Sequence, residues 1–220
     1  MEATSVPRPG DERGEAVGGE TARAQQARAT VGETIADPAP LGLAGFALTT
    51  FVLSMFTSGL VSEKGEPVVF GLALAYGGIA QFLAGMWEFK NNNTFGATAF
   101  SSFGAFWISL WLLDVFYAKD IPEAQAGDAV GLYLIAWGIF TTYMWIASFR
   151  VSVAVNAVFL LLAITFFLLG LGDTSGTEDI GKAGGYCGLV TALVAWYASF
   201  AVVTNKTFDR DVLPVKVLKR

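Results

Sequence analysis

The sequence predicts an all-α integral membrane protein with six transmembrane helices in one protomer. Long charge-free stretches, a scarcity of charge and short connections carry that prediction. Charged residues make up 15% of the 220 residues and apolar residues 54%, with a mean hydropathy of +0.53. Soluble domains carry about 25% charged residues, so this chain has too little polar surface to cover a water-soluble body. The charge-free runs are 38–62, 67–87, 91–113, 129–149, 151–172 and 183–205, of 25, 21, 23, 21, 22 and 23 residues. About 20 apolar residues at 1.5 Å rise cross the roughly 30 Å hydrocarbon layer. The predicted organisation is a tail over 1–36, a transmembrane domain over 37–205 and a second tail over 206–220.

Residues 1–36 are rich in Ala, Gly, Glu, Arg and Thr, with almost no large apolar side chains. Such a segment cannot bury enough surface to offset its ordering entropy, which predicts a disordered tail. It lacks the apolar core of a cleavable signal peptide, so the first span is expected to act as the insertion signal.

Run one opens with Asp37-Pro38-Ala39-Pro40-Leu41-Gly42-Leu43. Asp is a good helix N-cap, and proline fits the first turn because its missing N–H costs nothing there. A helix start of this kind also presents unpaired N–H groups to an anion. Run two holds Gln81 and ends beside Glu88; run three opens with Asn91-Asn92-Asn93 and holds Thr98 and Ser101. Runs four and five are joined at Ser148–Arg150, and run five holds Asn156. Run six holds the single cysteine, Cys187, so no intrachain disulfide can form; a small apolar filler is the better reading of it. Short connections make consecutive helices antiparallel neighbours. A segment in run two, Gly71-Leu72-x-Leu74-x-x-x-Gly78-Ile79, reappears in run four from Gly131 to Ile139, a weak parallel repeat. Pairs such as Ala80/Ala84, Ala97/Ser101 and Gly184/Gly188 predict close helix packing in lipid.

Orientation follows from Lys and Arg. Eleven fall on the side of both tails and of the loops with Lys90 and Arg150; three, Lys64, Lys119 and Lys182, fall opposite. The positive-inside rule puts both termini in the cytoplasm of a multi-pass plasma membrane protein, the inner membrane if the source is a prokaryote.

Several chemistries are excluded or disfavoured. The chain has no histidine, which removes imidazole zinc sites, Ser-His-Asp triads and histidine proton relays. There is no phosphate-binding or dinucleotide fingerprint, no metal site and no cofactor motif. The net charge of −5 argues against nucleic acid. No nucleophile–base pair is visible, so an enzyme is not expected. Uncharged polar residues at membrane depth remain: Thr49, Gln81, Thr98 and Asn156 among them. A lone Ser or Thr more often bonds its own or a neighbouring helix. Gln81 and Asn156 are costlier to bury, and each lies five or six residues, about 8–9 Å, from the same end of its run.

The opening of run one resembles the Asn-Pro-Ala-Pro-Leu-Gly-Leu signature of the acetate uptake transporter family. Tyr76-Gly77-Gly78-Ile79-Ala80-Gln81, Ala84-Gly85-Met86-Trp87-Glu88-Phe89, Asn93 to Phe100, Gly104-Ala105-Phe106-Trp107 and Trp137 to Thr141 also look like that family. The resemblance covers about residues 37–213. It implies a homohexamer in the lipid bilayer whose protomers each pass acetate and related small monocarboxylates, in some cases succinate. It further implies a narrow apolar constriction at Phe46, Phe103 and Leu162. Asp37, Pro38, Pro40, Leu41, Gly42, Thr49, Gln81, Thr98 and Asn156 are the candidate pathway residues, and Glu88 is the candidate for proton coupling. Two departures stand out: Asp37 replaces the family's Asn, and Phe103 replaces its Tyr. With no histidine and no carboxylate at mid-membrane, a passive anion channel is favoured over a proton-coupled carrier. The rival from another class is a membrane sensor or scaffold that keeps the fold and transports nothing.

Overall fold

Residues 35–218 are described in a computed structural model of the chain. The tail expected over 1–36 falls, up to residue 34, outside the described residues. Six helices long and apolar enough to cross a membrane occupy most of the rest: α1 Ala39–Thr57, α2 Val68–Lys90, α3 Thr94–Asp120, α4 Glu123–Ser148, α5 Val153–Ser175 and α6 Glu178–Phe208.

The starts have local causes. The Asp37 carboxylate accepts the Ala39 N–H at 3.0 Å, and Pro40 sits in the first turn of α1. Asn93 caps α3 by accepting the Gly96 N–H at 3.1 Å, and Ser152 caps α5 by accepting from Val155 at 3.2 Å. Gly59, just beyond α1, and Gly176, at the end of α5, turn the chain in the left-handed region, at φ of 76° and 62°.

Five of the helices run past their charge-free stretches, α3 as far as Asp120, and two of them begin early. α4 begins at Glu123 instead of 129, and α6 begins at Glu178 instead of 183. The charges that bounded those runs sit at the wet end of a continuing helix. Glu178 and Lys182, one turn apart, pair at 2.6 Å in the exposed first turns of α6. Two helices also change pitch. α2 widens to a π-turn over Ala75–Ala80, and α3 does so over Leu113–Tyr117. Such insertions often mark functional stretches.

Around the bundle, α2 packs on α3, α1 on α6, α6 on α5, and α5 on α4. Small residues make these contacts close. A side chain at Gly85 would land on the Ser101 backbone of α3, and one at Gly185 would land on the backbone around Ser58. The two halves of the weak repeat have different surroundings: Gly71 faces open space, whereas Gly131 lies against Gly170 and Thr174. The α3–α4 seam is held by rings, with Phe103 against Trp137 and Phe140, and Phe106 against Tyr133 and Trp137. Large apolar side chains on the outer surface, such as Leu132, Ile139, Ile146, Leu193 and Phe200, face where lipid would lie. Past α6, residues 209–218 fold back as a clasp. The Tyr197 hydroxyl donates to Pro214 O, and Val153 N–H donates to Lys216 O.

Candidate functional site: an aromatic neck between two cavities

Phe46 of α1, Phe103 of α3 and Leu162 of α5 converge inside the bundle, at 5%, 3% and 4% exposure. All three line one narrow cavity of about 20 Å³, together with Leu43, Gln81, Phe100 and Phe159. That is space for about one water. Phe46 and Leu162 also line a larger cavity of about 250 Å³, which opens toward the ends of α1, α3 and α5 that lie opposite the tails. The two residues are therefore the wall shared by a tight space and a wider one. Phe103 belongs to the tight space, and its ring stacks at 6.4 Å on Phe166, which lines the wider one.

Local sequence explains the convergence. Gly42, four residues before Phe46, has no side chain, and a Cβ there would lie 2.6 Å from the Phe100 ring. Glycine thus lets Phe100 close over α1 beside the neck. Gly45 and Gly77 do the same for α2: Gly45 meets the Tyr76 carbonyl, and Gly77 meets the Thr49 side chain. These contacts fall at the π-turn that ends just before Gln81. Gln81 is 1% exposed, and its Oε1 has no hydrogen-bond partner among the described residues.

The other candidate residues separate into groups. Thr49 is fully buried and donates back to Gly45 O at 2.9 Å, and Thr98 is half-buried on α3. Asn156 donates to the Ser148 hydroxyl at 2.8 Å, which ties the α4–α5 corner. Asp37, Pro40 and Leu41 line a separate open cavity with Ser199 and Lys206 at the tail end of α1 and α6. The Ser199 hydroxyl donates to Pro40 O at 2.7 Å there, and Pro38 is buried beside it in sequence. Glu88 is fully buried at the tail end of α2. One of its oxygens accepts from Asn93 at 2.9 Å, and the other has no partner among the described residues.

Sequence reasoning gave no site role to residues of the wider cavity: Glu66, Asp114 and Asp173, and deeper in its wall Trp107 and Thr50. A signal existed. Each carboxylate bounds a charge-free run at the end opposite the tails, so three separate helix ends bring acids to one mouth.

Six apolar helices around a buried aromatic cluster, with a cavity on the side opposite the tails, define a multi-pass helical membrane protein. The sequence profile of the GPR1/FUN34/yaaH family matches residues 18–218, and the chain belongs to that family. It is 42% identical over 179 residues to ammonia transport outward protein 2 of Saccharomyces cerevisiae, covering 78% of this chain and 62% of that protein. It is 42% identical over 195 residues to acetate permease A of Emericella nidulans, covering 82% of this chain and 65% of that protein. The chain thus spans less than two thirds of these fungal relatives. It is 36% identical over 181 residues to the succinate-acetate/proton symporter SatP of Escherichia coli, covering 82% of this chain and 95% of that protein. The solved structure of the bacterial acetate channel SatP superposes with a TM-score of 0.78 at 36% identity, over 83% of this chain and 99% of that one. The named relatives are transport proteins, and the family is one of transporters and channels, not of enzymes.

Proposed function

We propose that this protein passes acetate and related small monocarboxylates, with succinate at the edge of its range, through a path inside each protomer. The observation that carries the reading is the neck: Phe46, Phe103 and Leu162 meet between a tight space and a wider one. Relatives named for acetate support the choice of substrate. Acetate is a polar head on one methyl. An apolar neck admits the methyl and resists larger or heavily hydrated ions, and such a constriction can gate by dewetting. On the tail side the Gln81 amide is the nearest polar group in the neck wall, ready to meet the carboxyl head.

A passive, channel-like route is favoured, because the one fully buried carboxylate among the described residues, Glu88, is held in the α2–α3 corner by Asn93 and not at the neck. Both termini are assigned to the cytoplasm, from the Lys and Arg asymmetry, in a multi-pass plasma membrane protein. A homohexamer is the assigned assembly. The large apolar outer surface of the single chain, shared between lipid and neighbouring protomers, supports it.

Radiolabelled acetate uptake into liposomes holding the purified protein tests the reading. Uptake well above that of protein-free liposomes is expected. Equal uptake, with the oligomer intact, would reassign the chain to a sensor or scaffold.

A further inference from the structure

At the tail end of the bundle, α1 and α6 are joined by one hydrogen bond, from the Ser199 hydroxyl to Pro40 O at 2.7 Å. Beyond that bond they diverge. α6 runs on for seven residues, about 10 Å, to Lys206, while the chain ahead of α1 carries Asp37. Between the two arms lies an open cavity of about 690 Å³, lined by both charged residues. Leu41 and Val203, 45% and 48% exposed, give it an apolar flank that continues onto the outer surface. One Asp37 oxygen accepts the Ala39 N–H, and among the described residues Asp37 and Lys206 form no ion pair with each other. Lys206 is exposed and also lines a second cavity toward Arg210, so its flexible stem lets the ammonium swing into either. Two opposite charges thus share one opening at the membrane's edge and leave each other free.

We propose that this cavity is a phospholipid site selective for a zwitterionic headgroup with a primary amine, its ammonium on Asp37, its phosphate on Lys206 and its acyl chains along Leu41 and Val203. The order of the residues in depth matches that of a phospholipid. Asp37 stands two residues ahead of α1 and Lys206 two residues before the end of α6, where hydrocarbon gives way to headgroups. Leu41 and Val203 each lie about one turn deeper. A lysine ammonium meets a phosphate as a point charge. Asp37 makes the selection: a primary ammonium brings three N–H donors to a carboxylate, whereas a choline brings none. A glycerol headgroup brings no positive charge at all. Asp37 is also one of the two positions where this chain departs from the family signature, so the selectivity belongs to this chain and not to the fold. The inference stands apart from the transport reading, since it needs only that α1 and α6 span a bilayer.

The surrounding charges favour a balanced headgroup over an anionic one. The two cavities that meet at Lys206 are lined by three carboxylates, Asp37, Asp209 and Asp211, and by two cations, Lys206 and Arg210. A lipid with net negative charge is opposed by that excess, and a zwitterion is not. Asp37 also lies within electrostatic reach of Glu88, which strengthens the preference for a cation at that end. Asn205, the other polar side chain near Lys206, is already engaged. Its amide accepts from the Val212 and Leu213 N–H groups at 2.8 and 2.9 Å and donates to Leu213 O at 2.8 Å. The phosphate is therefore left to Lys206.

The test is native mass spectrometry of the delipidated full chain, titrated with dioleoyl phosphatidylethanolamine, phosphatidylcholine or phosphatidylglycerol. Wild type should bind phosphatidylethanolamine about tenfold more tightly than either other lipid, the scale of one hydrogen bond to a charged group. Asp37→Asn keeps a good helix cap and should bring the three lipids within about twofold of one another. Lys206→Gln should weaken all three by about tenfold. A second measurement places the photo-crosslinker benzoylphenylalanine at Val203, in liposomes that contain phosphatidylethanolamine. It should capture that lipid, and Asp37→Asn should reduce the capture. Equal wild-type affinity for the three lipids, a preference that survives Asp37→Asn, or unchanged binding in Lys206→Gln overturns the inference. Capture of residues 1–34 of the chain, or of a second copy, in place of lipid also overturns it, since protein would then fill the cavity.

Discussion

The Phe46 ring of α1 and the Phe103 ring of α3 lie 6.0 Å apart between centroids, tilted by 58°. No other ring contact joins these two helices among the described residues, yet Phe103 also touches Trp137, Phe140, Phe159 and Phe166. One side chain thus links α1, α4 and α5 across the bundle. Aromatic pairs at such distances contribute about 0.5–1.5 kcal/mol beyond area burial. The ring at the proposed neck is also a keystone of the packing.

Glycine packing gives a first prediction. A Cβ at Gly85 meets the Ser101 backbone, which cannot swing aside as a side chain can. Gly85→Ala should therefore push α2 off α3 and cost about 1–3 kcal/mol, the usual range for overpacking. Gly71 has open space around it, and Gly71→Ala should leave the melting temperature in detergent within about a degree or raise it, since alanine is the better helix former. A scanning fluorimetry comparison of the two variants checks both directions.

The topology prediction concerns exposed ends. Single cysteines at Gln125 and Ser175, in a Cys187→Ala background, should react with an impermeant maleimide added outside intact cells. One at Thr207 should not. Gln125 lies at the start of α4, Ser175 at the end of α5 and Thr207 at the end of α6. Labelling of Thr207 alone would invert the assigned orientation.

Glu66 carries a pH prediction. Its carboxyl is raised by burial first, then by the Asp114 and Glu63 charges. A carboxyl raised in the fold binds its proton more tightly folded than unfolded. Its contribution to stability is therefore fully present below the ordinary value of 4.5 and is lost as pH rises through the higher folded value. Glu66→Gln should accordingly raise the melting temperature at pH 7 and change it little near pH 4. A matched pair of melts at the two pH values decides it; equal effects at both would contradict the sign.

Much of this fold was legible because lipid forbids charge along a span. The runs around Phe46, Phe103 and Leu162 are charge-free for that reason, and their lengths give the six helices directly. Helix ends were less legible. The extra turns at Glu123 and Glu178 lie where water accepts charge, so a charge marks the membrane's edge and not the helix's end. The π-turn before Gln81 was not legible at all, because it answers to the approach of Gly45 and Thr49 from another helix. The two amides at membrane depth, Gln81 and Asn156, looked alike in sequence, and only packing separates them. Gln81 faces the neck cavity, whereas Asn156 bonds Ser148. Composition and spacing did not pick out Phe103 from the other phenylalanines; family resemblance did. The acids at Glu66, Asp114 and Asp173 were visible only as ends of separate runs, and nothing in a linear pattern joins them at one mouth.

The most direct test of the central claim is acetate flux into liposomes by Phe103→Ala and Leu162→Ala, measured beside propionate and butyrate flux. Truncating a buried Phe or Leu costs about 2–5 kcal/mol, so the assembly of each variant is checked by size-exclusion chromatography first. With assembly intact, both variants should raise acetate flux or admit the longer acids, because each widens the wall shared by the two cavities. Phe103→Tyr, which keeps the ring and adds a hydroxyl, should leave the exclusion of the longer acids in place. Assembled Phe103→Ala and Leu162→Ala proteins with wild-type flux and wild-type selectivity would contradict the account and place the narrow point elsewhere.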